Sequence, residues 1–151
     1  MRAVVQRVEK ASVSVEGRIT GSIETGLLVY VGIGKDDVPG DAEWLAGKIA
    51  DMRIFPDGEY KMNLSVRDVG GSILAVSQFT LYADVRKGRR PSYDQAASPG
   101  IARELYEHFL DRLRGTGIEI QTGEYQAVMD VSYVNKGPVT IILETERGSR
   151  S

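Results

Sequence analysis

The sequence predicts an α/β protein of the α+β type, in which two helices pack on one curled, mainly antiparallel, barrel-like β-sheet. Strand patterns fill the first 33 residues, helical patterns cover residues 39–52 and 98–115, and further strand patterns separate and follow the helices. Packing helices on a sheet buries the apolar face of each element. No repeat or long linker divides the chain, so we expect one domain over residues 1–146 and a flexible tail at residues 147–151.

The first third of the chain has the pattern of three strands. Valines alternate with polar residues up to Val15, and Gly17 supplies a turn before a return strand at residues 19–23. Residues 26–33 are continuously apolar, as in a strand that is buried on both faces.

The first helix is predicted from apolar spacing. Trp44, Leu45, Ile49 and Met52 recur at helical intervals, and the acidic residues 36–37 precede them, where they favour the positive end of the helix dipole.

The second helix has signals at both ends. Ser98 is in the position of an N-cap, Pro99 suits the first turn, and Gly115 lies just past the end. The predicted buried stripe is Ile101, Leu105, Phe109 and Leu113.

The remaining strand patterns lie at residues 72–76, 118–122, 125–134 and 139–145. Two helices in a single layer leave part of such a sheet uncovered. We therefore expect a homodimer that forms through the open face.

Composition and charge narrow the class of protein. The 151 residues are 42% hydrophobic and 26% charged, which is ordinary for a soluble globular domain. A net charge of −2 gives no overall attraction for nucleic acid, so RNA binding needs a local basic patch. The absence of cysteine excludes disulfides and thiolate metal sites, and no stretch reaches the roughly 20 apolar residues of a membrane span. We expect a cytoplasmic protein.

The single histidine, His108, is the first candidate for a general base. Helical spacing places it beside Glu104, Glu107 and Asp111, which favours a solvated surface histidine. A Ser-His-Asp relay would need it at a strand end instead. One histidine and scattered acids match no metal-ligand spacing, so we expect neither a metal nor another cofactor.

The strand at residues 72–76 runs into four candidate catalytic residues, Ser77, Gln78, Phe79 and Thr80. Side chains alternate between the two faces of a strand, so one pair must point to the interior or to a pocket. A buried hydroxyl or amide needs a hydrogen-bond partner, which a substrate can supply. Capping of the next turn is the alternative, and the spacing alone is weak support for a site.

Asn135, Lys136, Gly137 and Pro138 separate two strand patterns. By composition, an ordinary hairpin turn is the better interpretation. The proline, however, opens a strand, where it cannot donate to the ladder. A cis X-Pro bond here would redirect two carbonyls, and carbonyls aimed into a pocket can hold an ammonium group.

A basic run lies in the polar segment at residues 83–97, which we predict to be a loop. Its four cations are Arg86, Lys87, Arg89 and Arg90. A charge run is usually a solubilising surface, but this density beside a glycine also suits phosphate contacts, which position a nucleic acid without reading its sequence.

Taken together, these segments resemble the D-aminoacyl-tRNA deacylase family, also called D-tyrosyl-tRNA(Tyr) deacylase. The resemblance covers nearly the whole chain, and its most specific motifs are SQFTL at residues 77–81 and NxGPxT at residues 135–140, in register. Shorter matches lie at residues 6–8, 11–13, 53–55, 61–64, 90–92, 97–99 and 121–123. Lys136 fills a variable position where an aspartate is common in bacterial relatives, which makes the rim of the pocket more basic.

The resemblance implies a homodimeric hydrolase that cleaves the ester between a D-amino acid and the terminal adenosine of tRNA. It implies that the bond between Gly137 and Pro138 is cis and that its carbonyls enter the partner subunit's pocket, where they hold the α-amino group. An L side chain would then be driven into backbone, whereas a D side chain would point outward. Glycyl-tRNA, which has no side chain to reject, would be tolerated.

The resemblance also assigns roles to residues. Residues 77–80 would line the ester, with backbone N–H groups or Gln78 stabilising the oxyanion, and Phe79 would pack near the adenosine. Attack by water, assisted by the 2′-hydroxyl of the tRNA, is preferred to Thr80 as nucleophile, because no base is evident to activate it. The basic run would contact tRNA phosphates. The substrate-binding residues would be Met129, Asn135, Gly137, Pro138 and Thr140.

Two other functions compete with this one. The first is an RNA-binding module of the same fold without hydrolysis, and the same fold also serves as the editing domain of archaeal threonyl-tRNA synthetases, which acts on an L-amino acid. The second is a hydrolase with a hydroxyl nucleophile that cleaves small esters. Both motifs in a free chain of 151 residues favour the D-specific enzyme.

Overall fold

A curled, mixed β-sheet of seven strands carries both helices on one face. The computed structural model describes the backbone of residues 1–146 and 149–150 and the side chains of residues 1–145. The helices are α1 (Pro39–Asp51) and α2 (Pro99–Arg114), and a short 3₁₀ helix, called the 3₁₀ turn below, spans Phe79–Tyr82. The strands are β1 (Arg2–Val15), β2 (Arg18–Ile23), β3 (Gly26–Gly32), β4 (Phe55–Pro56), β5 (Met62–Leu64), β6 (Ser72–Ser77), β7 (Glu119–Thr122), β8 (Asp130–Glu146) and β9 (Ser149–Arg150). The predicted fold class is confirmed.

Strand β1 is the centre of the sheet. Its first half pairs with β3, its second half pairs with β2, and β8 runs along its other edge, all antiparallel. The pairs β3–β6 and β6–β7 are parallel. Parallel neighbours need a crossover connection, and α1 and α2 lie in these two connections. Because both crossovers move the same way across the sheet, right-handed connections place both helices on the same face.

The sheet curls until β2 approaches β7, so that the barrel is nearly closed. A Cβ on Gly21 would lie 2.4 Å from the carbonyl oxygen of Thr122 and 3.0 Å from Cδ1 of Leu74. Only glycine permits this approach of the two backbones.

Apolar side chains fill both sides of the curled sheet. Leu27 and Val29 of β3 pack towards the helices, where they join Phe109, whereas Leu28 packs inside the barrel with Leu74. The prediction that this strand is buried on both faces is confirmed. Each such leucine contributes about 1.5–3 kcal/mol to folding through burial.

Helix α2 has the predicted ends but a different buried face. Ser98 is at the N-cap position, yet its side chain makes no capping hydrogen bond, so the predicted side-chain cap is wrong. Ile101 is 51% exposed, which also contradicts the predicted stripe. The buried residues are Leu105, Tyr106, Phe109, Leu110 and Leu113. This stripe continues to the partly buried Ala102, so Ile101 falls about 100° away from it on the helix surface.

The last part of the sheet differs most from expectation. The predicted strands at residues 125–134 and 139–145 are one strand, β8, which starts only at Asp130 because residues 125–129 form a turn. β8 continues through residues 135–138, so the hairpin-turn interpretation is wrong. Pairing with β1 persists on both sides of this segment, and register shifts around Val8 absorb its irregularity.

Two acidic residues near the start of α1 have different partners. The carboxylate of Asp41 accepts the N–H of Val38 at 2.9 Å and so caps α1. Asp37, predicted to favour the helix dipole, instead accepts the buried α-ammonium group of Met1 at 2.5 Å and the N–H of Gly34 at 2.6 Å. The Met1 ammonium also donates to Oγ1 of Thr145, which links β8 to the start of the chain.

Within the described residues, no helix has both the length and the apolar character that crossing a bilayer requires. The predicted flexible tail at residues 147–151 lies outside the described residues, apart from the backbone of β9.

Candidate active site

A cavity of about 600 Å³ opens where β6 ends. Its walls come from the end of β6, the start of the 3₁₀ turn, the segment before α2, the first turn of α2 and the turn before β8. The lining residues are Val76, Ser77, Gln78, Phe79, Tyr93, Ala96, Ala97, Pro99, Ala102, Tyr125, Gln126, Ala127, Met129 and Val131. None of these has a charged side chain, so any substrate group here meets only apolar atoms, hydroxyls, amides and backbone.

The first motif shapes the floor of the cavity. Gln78 still pairs with β3, because its N–H donates to the carbonyl of Val31 at 2.8 Å, and the chain then enters the 3₁₀ turn. The first N–H groups of a helix have no partner inside it, which leaves those of Phe79 and Thr80 available as donors. The motif therefore combines a strand end with a short row of backbone donors.

Thr80 is next to the cavity but does not line it. Its Oγ1 accepts a hydrogen bond from the Gln78 side-chain amide. His108 lies elsewhere, between the helices, with its Nε2 3.1 Å from Oε1 of Glu43. It is half-exposed, close to the predicted surface position. Among the described residues that line the cavity there is no histidine and no carboxylate to activate a hydroxyl.

Two tyrosines that belong to neither motif, Tyr93 and Tyr125, help to form two walls of the cavity. The rings of Phe79 and Tyr93 meet edge to face with centroids 4.9 Å apart. Tyr125 forms a second wall, and its hydroxyl donates to the carbonyl of Pro99 at 3.2 Å. Both tyrosines lie in irregular segments, where no periodic pattern could have assigned them to a pocket.

Met129, predicted as a pocket wall, does line the cavity. A Cβ on Gly123 would lie 2.5 Å from the sulfur of Met129, so the glycine makes room for this side chain.

The second motif lies on the surface of β8. The bond between Gly137 and Pro138 is cis, and both residues are exposed. Asn135 fixes the segment from both sides: its Oδ1 accepts the N–H of Val139, and its Nδ2 donates to Oγ1 of Thr140, both at 3.1 Å.

Arg7 supports the same segment from β1. Its Nε donates to the carbonyl of Lys136 at 3.1 Å and its Nη1 to the carbonyl of Ile54 at 2.7 Å. Gly137 has a φ of +128°, and a Cβ there would lie 2.8 Å from Nη2 of Arg7. The φ therefore favours glycine, and any larger residue would also displace the end of the Arg7 side chain. Arg7 belongs to the short match at residues 6–8, and nothing in that match predicts its contact with this segment.

The family model described as D-Tyr-tRNA(Tyr) deacylase matches residues 4–144. The chain belongs to this family.

Two similar curated proteins, both named D-aminoacyl-tRNA deacylase, are those of Koribacter versatilis and Fervidobacterium nodosum. They are 61% and 55% identical to this chain over 147 residues, which is 97% of this chain and 99% of each relative.

Two solved structures are similar. One is named c-Myc DNA Unwinding Element Binding Protein, with a TM-score of 0.91 and 41% identity over 97% of this chain and 99% of that one. The other is described as a probable eukaryotic D-amino acid tRNA deacylase, with a TM-score of 0.80 and 18% identity over 93% of this chain and 97% of that one. At 18% identity the second likeness shows the fold alone.

In this member of the deacylase family, the two motifs do not meet within one chain. None of the residues 135–140 lines the cavity. In sheet order, β8 and β6 are separated by β1 and β3, which corresponds to roughly 14 Å at three strand spacings. A joint role for the two motifs therefore needs a second copy of the chain.

The basic run of this deacylase-family chain forms an exposed loop, as predicted. Asp84 and Ser92 pair at its base through two backbone hydrogen bonds of 2.8 and 2.9 Å. Arg86 is held by the carboxylate of Asp84 at 2.6 Å and lowers the pKa of that group to about 2. The other three cations, Lys87, Arg89 and Arg90, make no ion pair among the described residues, so their charges are available to a ligand.

Proposed function

We propose that this protein hydrolyses the ester bond of D-aminoacyl-tRNA and releases free tRNA and the D-amino acid. As a member of the D-Tyr-tRNA(Tyr) deacylase family, the chain is an enzyme of the hydrolase class. The observation that carries the proposal is the uncharged cavity at the start of the 3₁₀ turn, which offers hydrogen-bond donors to an ester but no charged side chain.

The ester carbonyl would lie against residues 77–80. Backbone N–H groups of the 3₁₀ turn, or the amide of Gln78, would stabilise the oxyanion that forms when the carbonyl is attacked. The attacking group would be water, assisted by the 2′-hydroxyl of the terminal adenosine. Phe79, at the exposed end of the aromatic pair, would pack near this adenosine.

Replacing Thr80 by alanine tests the choice of nucleophile. Among the described residues, the hydroxyl of Thr80 has the Gln78 amide as its hydrogen-bond partner and no base to activate it. We therefore expect the deacylation rate of Thr80→Ala to stay within about threefold of the parent. Single-turnover hydrolysis of D-tyrosyl-tRNA measures this rate. A covalent acyl-enzyme trapped on Thr80 by rapid acid quench would contradict the proposal and support a hydroxyl-nucleophile hydrolase.

Stereochemical selection would come from Gly137 and Pro138 of a partner subunit. Their exposure on β8, and their distance from the cavity of their own chain, support a role in a homodimer. Their carbonyls would hold the α-amino group of the substrate in the partner's cavity. The side chain of an L-amino acid would then clash with the protein backbone, whereas that of a D-amino acid would point out of the pocket. Glycyl-tRNA, which has no side chain, would be accepted. Asn135 and Thr140 would keep this segment in place.

The basic loop would position the tRNA through its phosphates. Lys87, Arg89 and Arg90 are exposed and have no ion-pair partner among the described residues, and Arg86 would stiffen the base of the loop through Asp84. Contacts of this kind predict that the KM for tRNA rises with salt concentration. We place the reaction in the cytoplasm, where charged tRNA is found.

The decisive experiment compares D-tyrosyl-tRNA and L-tyrosyl-tRNA as substrates in parallel. We expect hydrolysis of the D form, and of glycyl-tRNA, at a rate at least about 100-fold above that of the L form, because the L side chain meets backbone. Equal rates on the two stereoisomers would end the proposal of chiral selection. Binding of tRNA without any hydrolysis would instead indicate an RNA-binding module.

A further inference from the structure

A cation stands at the rim of the cavity on the side of α2. The guanidinium carbon of Arg103 lies 5.2 Å from the centre of the Tyr125 ring, and that ring lines the cavity. Arg103 is exposed, and it makes no hydrogen bond or ion pair among the described residues. Its charge is therefore next to a cavity whose own lining is uncharged.

The Tyr125 ring under Arg103 makes two contacts with neighbouring elements. The Tyr125 hydroxyl donates to the carbonyl of Pro99, and the ring stacks on Tyr106 with centroids 5.8 Å apart. The Tyr106 hydroxyl in turn donates to the carbonyl of Ala75 in β6 at 3.2 Å. The Arg103 guanidinium is thus connected through Tyr125 and Tyr106 to β6, the strand that leads into the first motif.

The contact with Tyr125 uses none of the N–H donors of the Arg103 guanidinium, because Arg103 makes no hydrogen bond or ion pair among the described residues. The donors along the edge of the guanidinium are therefore available to a ligand. That edge matches a phosphate, to which arginine can donate two parallel hydrogen bonds. The basic loop is attached beside Tyr93 and serves a different stretch of the rim.

We propose that Arg103 binds the phosphodiester that joins the terminal adenosine of the substrate to the nucleotide before it. This inference rests on the proposed function, because it takes an aminoacylated RNA 3′ end as the ligand. Arg103 then fixes the point at which the RNA strand enters the cavity, and the uncharged lining receives only the adenosine and the aminoacyl group.

The first test uses the salt dependence of KM for D-tyrosyl-tRNA. Arg103→Met should raise KM about tenfold at low salt with kcat within twofold, and should lower the slope of log KM against log salt by about 0.7, the value for one phosphate contact of a single strand. Arg103→Lys should restore the slope, because it keeps the charge. Arg112→Met is the matched control: Arg112 is exposed on the same helix, about 13 Å further along it, and should leave KM and slope unchanged.

The second test removes the phosphate from the substrate. The D-tyrosyl ester of adenosine is compared with the same ester of adenosine 5′-monophosphate. Arg103→Met should raise KM only for the phosphorylated compound. An equal effect on both, or on neither, would overturn the phosphate contact while the parent's activity upholds the proposed function. A parent that cleaves neither compound nor D-tyrosyl-tRNA would overturn the proposed function itself and this inference with it.

Discussion

Replacing Gly137 by alanine is expected to lower kcat/KM for D-tyrosyl-tRNA by at least about 100-fold, the cost that a displacement of about 1 Å has at a catalytic site. The backbone of Gly137 has a φ of +128°, which L residues rarely adopt. A Cβ would also lie 2.8 Å from Nη2 of Arg7 and 3.0 Å from Cγ2 of Val139. Alanine must therefore move both the exposed carbonyls and the arginine that holds the neighbouring Lys136 carbonyl. Steady-state hydrolysis of the D and L substrates measures the loss.

A second glycine separates this local effect from general destabilisation. Gly117 has a φ of +83°, but a Cβ there would have nothing within 4 Å. Both alanine variants carry the backbone strain of a positive φ, about 1–3 kcal/mol in the free energy of unfolding. Urea denaturation should therefore show a loss in both, while only Gly137→Ala loses activity. An active Gly137→Ala variant would remove this segment from the reaction.

Replacing Gln78 by glutamate is expected to lower kcat by about 100-fold or more. The substitution keeps the shape of the side chain but exchanges an amide donor for a carboxylate, in a cavity whose described lining has no other charge. A negative charge beside a developing oxyanion opposes the transition state, and removal of one oxyanion donor elsewhere costs 10²–10³ in kcat. Single-turnover kinetics with D-tyrosyl-tRNA measures the chemical step directly.

Two further variants separate the loss of the side-chain donor from the effect of the added charge. Gln78→Ala removes the side-chain donor without adding charge, so its residual rate shows how much the backbone N–H groups contribute. Gln95→Glu adds the same charge outside the cavity and should leave kcat unchanged. If Gln78→Glu retained the parent's kcat, residues 77–80 would not contact the reacting carbonyl.

Periodicity predicted the elements that are long and amphipathic. Both helices, the first hairpin and the doubly buried β3 follow from spacing alone. The failure at β8 has a physical cause: proline and glycine normally break strands, but here the partner strand β1 shifts its register and keeps pairing on both sides of residues 135–138. The register shift lies in β1, which is far from residues 135–138 along the chain. The composition of residues 135–138 therefore cannot predict that β8 continues through them.

The candidate site was predictable in part, for a similar reason. Ser77 ends β6 and Gln78 and Phe79 follow it directly, and a strand end can be inferred from one stretch of sequence. Tyr93 and Tyr125 reach the same cavity from irregular segments, and their position depends on the bridge between Gly34 and Ala96 and on the hydroxyl contact with Pro99. Neither contact leaves a periodic signal.

The uncharged lining of the cavity has a consequence for the proton balance of the reaction. No carboxylate, imidazole or amine is among the described residues that line it, and burial raises the pKa of the Tyr125 hydroxyl above its usual range. Near neutral pH the residues that line the cavity therefore do not change their protonation state. The group that titrates in this range belongs to the substrate, since a free α-amino group has a pKa near 8. The pH profile of hydrolysis thus reports on the α-amino group of the aminoacyl ester. The residues that line the cavity keep the same charge across this pH range.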